Sequence, residues 1–107
     1  MVPLRLADGS TGREGRVEVY YDDQWGSMCD NYMDLANANV ICYQLGFGTA
    51  LNFRRDAFFR PGSGPVWLSS VDCSGLEDGL NECDHNGWGY TSICDHGDDV
   101  GVICNGG

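Results

Sequence analysis

Six cysteines in 107 residues, Cys29, Cys42, Cys73, Cys83, Cys94 and Cys104, limit this chain more than any other feature. An even number in so short a chain points to a disulfide framework and an oxidising compartment. Burial alone leaves a domain of this size only marginally stable, so cross-links would help it. Zinc is the rival reading. Zinc ligands come as close pairs, with two to four residues between them. Here no two cysteines are closer than Cys73 and Cys83; Cys94 and His96 are close, but no second close pair accompanies them. The disulfide reading is the better one. Six cysteines allow fifteen connectivities, and their spacing does not choose among them.

The segments between the cysteines alternate strand and helix signals. Val2 to Ala7 reads as a strand, placed at an edge by Pro3. Asp8 to Gly12 is a turn. From Gly15 to Asp22, Val17, Val19 and Tyr21 share one face and Arg16, Glu18 and Tyr20 the other, the pattern of a half-buried strand. Asp22-Asp23 breaks the chain in hairpin fashion, and Gln24 to Cys29 forms the return strand. Asp34 is a good helix N-cap. Behind it Leu35, Ala38, Ile41, Cys42 and Leu45 recur at helical spacing, and Gly46 ends the helix. Phe47 to Gly64 reads as a long surface connection, Val66 to Val71 as a short strand and Asp84 to Asp99 as a second loop. Val100 to Cys104 is the last strand. Met1 reads as an added start and Asn105-Gly106-Gly107 as a linker stub.

The formal charge is −10 and every basic residue is arginine. Such a surface repels nucleic acid and anionic lipid over the molecule as a whole. No run approaches the roughly 18 apolar residues of a membrane span, and the opening lacks the pattern of a secretory leader.

In order and spacing these segments resemble the scavenger receptor cysteine-rich family, in its six-cysteine form. The resemblance rests on Leu4-Arg5-Leu6, Gly15-Arg16-Val17-Glu18-Val19, Trp25-Gly26-Ser27-Met28-Cys29-Asp30, Ala38-Asn39-Val40-Ile41-Cys42 and Gln44-Leu45-Gly46. It continues through Gly62-Ser63-Gly64-Pro65-Val66-Trp67-Leu68, Val71-Asp72-Cys73-Ser74-Gly75, Asn86-Gly87-Trp88 and Asp99-Val100-Gly101-Val102-Ile103-Cys104. It implies one α+β domain over 1–107, with a core of about 4–104, cut from a larger extracellular protein. The implied fold is a curved antiparallel β-sheet cradling one main α-helix. The implied disulfides are Cys29–Cys94, Cys42–Cys104 and Cys73–Cys83.

The resemblance also implies a binding module, secreted or on a cell surface, of the scavenger and pattern-recognition type found in innate immunity. Its ligands would be anionic polymers, bacterial surface components or a partner protein, with calcium assisting. The alternative is a structural protein–protein module of a larger secreted enzyme or matrix protein, with no ligand of its own. For the cation, the Cys29–Cys94 bridge would draw Asp30 and Asn31 towards Asp98, and converging oxygens suit calcium. Asn31 and Asp98 stand where the family usually has an aspartate and a glutamate, which weakens the site. A second position would combine Asp34, Asn37 and Asn86. For the ligand, Arg54, Arg55 and Arg60 form the only positive cluster, and their forked groups suit sulfate, phosphate and carboxylate. Phe53, Phe58 and Phe59 flank them. An exposed aromatic beside arginine would instead mark a protein-binding hot spot.

Catalysis is the weak reading. His85 and His96 are the only histidines, both in a loop, and no strand-turn-helix nucleophile elbow accompanies them.

Overall fold

The computed structural model describes residues 2–85, 87–89 and 94–106; Met1, Asn86 and Gly107 lie outside the described residues. Among the described residues the strands are β1 (Leu4–Ala7), β2 (Glu14–Tyr21), β3 (Gln24–Met28), β4 (Ala50–Arg54), β5 (Val66–Leu68) and β6 (Gly101–Cys104), with one α-helix, α1 (Leu35–Gln44). Short 3-10 turns occupy Leu80–Glu82 and His96–Asp98.

The sheet is organised around β2. β1 runs antiparallel along one edge, from Leu4 opposite Val19 to Ala7 opposite Arg16. On the other edge β3 pairs with residues 18–21 of β2 and β6 with residues 14–16. β4 extends the sheet beyond β6, and β5 runs parallel to β3 beyond it. The β2–β3 connection is two residues long. Asp22 and Asp23 both have positive φ, the conformation a twisted hairpin needs, and one that Asp tolerates better than most residues.

α1 begins where expected. The Asp34 carboxylate accepts the Asn37 N–H at 2.9 Å. It ends in paired reverse bonds, Phe47 N–H to the Cys42 carbonyl and Gly46 N–H to that of Tyr43, with Gly46 at φ +86°. Its inner face carries Ala38, Val40, Ile41 and Cys42 against Val17, Val19, Met28, Leu68, Val100 and Val102. Leu35 stays exposed, and Asn37 is buried in its stead.

All three implied disulfides form: Cys29–Cys94, Cys42–Cys104 and Cys73–Cys83. The first two close separations of 65 and 62 residues. Loops of that length stabilise a fold by about 3–5 kcal/mol each on a chain-entropy treatment.

Two expectations change. The outer face of β2 is covered: Arg16 and Glu18 are buried. Arg16 pairs with Glu18 at 3.0 Å and Asp8 at 2.7 Å, and Glu18 also takes Arg5. The Arg16 guanidinium donates to the Arg60 carbonyl as well, so the connection after β4 folds back over this face. That connection is also not all loop, since β4 lies inside it. Leu51 and Asn52 are exposed and the pairing with β6 slips between Ala50 and Asn52, so an alternating pattern is missing locally.

Candidate functional site

The end of β3 meets the start of β6 at Cys29–Asp99, an isolated bridge beside the Cys29–Cys94 disulfide. Asp30 N–H donates to the Asp98 carbonyl at 2.8 Å. This junction is the hub of the site.

Asp99 is its fixed point, 1% exposed. One carboxylate oxygen accepts the Ser27 hydroxyl at 2.6 Å; the other accepts the Gly62 N–H at 2.7 Å and faces His96 Nδ1 at 2.9 Å. Its carbonyl accepts the Ala57 N–H. His96 Nε2 lies 2.7 Å from the Gly64 carbonyl. Burial works against a charged ring, yet the Gly64 carbonyl and the Asp99 carboxylate outweigh it and raise the His96 pKa above its ordinary value. The 54–65 segment is thus held at Ala57, Gly62 and Gly64. At Gly62 a Cβ would lie 3.0 Å from Arg16 Nε and 3.2 Å from the Asp99 carboxylate, so a glycine suits this close approach.

Ser27, His96 and Asp99 do not form a catalytic triad. The serine hydroxyl is buried and donates to Asp99, it faces the same ring nitrogen as Asp99 does, and the other ring nitrogen is spent on Gly64. His96 is a loop residue bonded to backbone, as its sequence context suggests.

The hub brings Asp30 and Asp98 together and adds Asp56, with one carboxylate oxygen from each lying within 4.8 Å of the others. Two of these groups are held by main-chain amides. Asp30 accepts the Asp56 N–H at 2.8 Å, and Asp98 accepts the Asp95 N–H at 3.2 Å. Three converging carboxylates can hold a hard cation. Asn31 turns elsewhere: its amide accepts the Ser70 N–H and donates to the Ser70 hydroxyl. Asp56 was not among the residues singled out in the sequence. It lies 26 residues from Asp30, and only the turn at Asp56–Ala57, with both φ values positive, aims it back.

The second set of acids and amides is arranged differently. Asp34 caps α1 and lines a cavity of about 310 Å³ with Tyr32, Ser70 and Asp72. Asn37 faces inward. It donates to the Val71 carbonyl at 2.8 Å and accepts the Cys73 N–H at 2.8 Å. Asn86 lies outside the described residues.

The three loop arginines have distinct surroundings. Arg54 sits over the Phe58 ring, 5.4 Å from its centre. Arg55 lies over Phe53 and donates to the Met33 carbonyl at 2.8 Å. Arg60 is exposed at φ +79°. The ion pairs among the described residues are Arg5–Glu18, Arg16–Asp8, Arg16–Glu18 and His96–Asp99, so none of these three arginines has a carboxylate partner there. The phenylalanines separate too. Phe53 packs on the core, Phe59 is buried and Phe58 is 64% exposed.

The scavenger receptor cysteine-rich domain family matches residues 7–105. Among curated proteins, the chain is 48% identical over 103 residues to lysyl oxidase homolog 4 of Bos taurus, covering 95% of this chain and 14% of that one. It is 46% identical to the galectin-3-binding protein of Bos taurus, covering 94% and 18%. The chain therefore spans less than a fifth of these relatives' length. Among solved structures, the third such domain of murine neurotrypsin superposes with a TM-score of 0.88 at 41% identity, covering 98% of this chain and 97% of that one. The domain of mouse MARCO, in its dimeric form, gives 0.79 at 38% identity, covering 94% and 92%.

Proposed function

The chain belongs to the scavenger receptor cysteine-rich family, and we propose that it is a protein-interaction module of a larger extracellular protein, working through its 54–65 loop with calcium at the base. The disulfides and the family place the domain outside the cell, as a non-catalytic interaction module. The observation that carries the finer reading is the Arg54–Phe58 pair. An aromatic ring this exposed, capped by a guanidinium that donates to the Phe53 carbonyl and has no carboxylate partner among the described residues, has the composition of an interface hot spot. The loop is anchored from below at Asp99, so little of it needs ordering on binding.

Calcium would occupy the Asp30, Asp56 and Asp98 carboxylates. Asp56 belongs to the loop and the other two to the hub, so the ion would clamp the loop in place. The long relatives, among them a lysyl oxidase homolog and a galectin-3-binding protein, support a role inside a larger secreted enzyme or matrix protein. A polyanion-binding reading has support in the three charged arginines. It is the second reading because Arg54 and Arg55 lie against rings and each is further tied to a carbonyl, Arg54 to that of Phe53 and Arg55 to that of Met33.

The test is an array of extracellular proteins, sulfated glycans and bacterial polymers, probed with the domain on a multivalent carrier in millimolar calcium. Partner-protein binding lost in Phe58→Ala, with an unchanged fold, supports the proposal. Binding confined to polyanions and indifferent to Phe58→Ala overturns it.

A further inference from the structure

A second surface lies where α1, the chain before β4 and the loop closed by Cys73–Cys83 come together. It is a groove of about 360 Å³ whose lining includes Asn39, Tyr43, Thr49, Leu76, Glu77 and Asp78. It shares no residue with the 54–65 loop or the carboxylate cluster.

Two large apolar side chains stand in water here: Leu76 is 91% exposed and Tyr43 60%. One such residue on a surface is ordinary, but two lining the same concavity form a small apolar seat. Glu77 and Asp78 supply negative charge, and no basic residue lines the groove.

The acidic wall is also rigid. The Glu77 carboxylate accepts the Ser74 N–H at 2.8 Å, the Ser74 hydroxyl at 3.0 Å and the Gly75 N–H at 3.0 Å. The Ser74 N–H leads in holding this carboxyl down at about 2, so its charge persists at any physiological pH. The Cys73–Cys83 disulfide closes the loop that presents Leu76.

We propose that this groove docks a basic segment of a partner protein, with an apolar side chain seated between Tyr43 and Leu76 and a flanking arginine or lysine against Glu77 and Asp78. Charge complementarity selects that occupant. A second copy of this chain would bring another −10 of charge to the contact.

The test uses an eight-residue peptide in which two arginines flank a leucine, and a counterpart with glutamate for arginine. Amide shift mapping is run on the 107-residue chain, and affinity is measured by calorimetry. The arginine peptide is expected to shift Asn39, Tyr43, Thr49, Leu76 and Asp78, and the glutamate peptide none of them. Leu76→Ala combined with Asp78→Asn is expected to weaken binding at least tenfold. Both side chains are exposed, and circular dichroism checks that the fold is kept. Asp22→Asn, on the exposed β2–β3 turn, is expected to leave the affinity unchanged. The proposal is overturned if the shifts centre on Asp30, Asp56 and Asp98, if the double variant binds as tightly as the parent, or if sedimentation shows the domain pairing through this face without peptide.

Discussion

Replacing Asp56 with asparagine should stabilise the calcium-free domain and remove most of the benefit of calcium. Three carboxylates lie within 4.8 Å of one another at a half-exposed site. At that distance each pair repels by about 0.9 kcal/mol in water. Physiological salt, with a screening length of about 8 Å, roughly halves the figure. Asp56 takes part in two of the three pairs, so neutralising it releases about 1 kcal/mol. The substitution carries little backbone penalty, because asparagine also tolerates the φ of +59° found there. The main-chain N–H that binds Asp30 is retained. For a domain this size, 1 kcal/mol raises the melting temperature by about 4–8 °C. Calcium at a hundred times its dissociation constant would stabilise the parent by about 2.7 kcal/mol, and much less once a ligand is lost. Thermal melts with the disulfides intact, in chelator and in 10 mM calcium, should therefore put the variant above the parent in chelator and below it in calcium. A variant that melts lower in chelator, or gains as much from calcium as the parent, would refute the reasoning.

Other consequences follow from the hub and its supports. The His96 pKa is raised by folding, so the stability His96 contributes should be fully present below about pH 6.5 and fade as pH rises through the folded value. Melting temperatures of the parent and His96→Gln between pH 5 and 8.5, in chelator, should converge towards high pH; a margin that stays flat or widens contradicts this. Gly101→Ala would put a Cβ 2.3 Å from the Phe59 ring and 2.7 Å from the Gly15 carbonyl, and should cost about 1–3 kcal/mol, read as a lower urea midpoint at unchanged slope. Replacing Cys29 and Cys94 together by serine should cost about 2–5 kcal/mol and abolish the saturable calcium heat expected of the parent in titration calorimetry, because that bridge holds the hub together. Asp30→Ala should abolish the same heat at a smaller cost in stability.

Much of the frame was legible because its signals are local. The Asp34 cap, the apolar spacing behind it, the Asp22-Asp23 turn and the alternation in β2 each depend on neighbours a few residues away. The convergence of Asp30 and Asp98 followed from the cysteines once their pairing was taken from the family. What escaped the sequence is set by distant contacts. Asp56 follows Arg55 in a stretch with no motif of its own, and only its turn directs it to Asp30. Asn31 and Asn37 read as oxygen donors, but which way an amide faces depends on Ser70, Val71 and Cys73, more than thirty residues away. A signal for Asn37 was present, since it sits four residues before Ile41 on the inner stripe of α1. The burial of Arg16 and Glu18 was hidden because the segment that covers them comes after β4.

The same long-range contacts build the proposed binding face. The sheet and two disulfides fix Asp99, Asp99 fixes the 54–65 segment, and that segment exposes Phe58 beside Arg54, the half-buried last residue of β4. The most direct measurement is the affinity of the domain, in calcium, for a partner protein identified on the array, compared between the parent, Phe58→Ala and Leu51→Ala. Leu51 is as exposed as Phe58 but lies on β4, outside the loop. The account predicts at least a thirtyfold loss for Phe58→Ala, the scale of a hot spot, and no change for Leu51→Ala. Equal affinity of Phe58→Ala and the parent would contradict it.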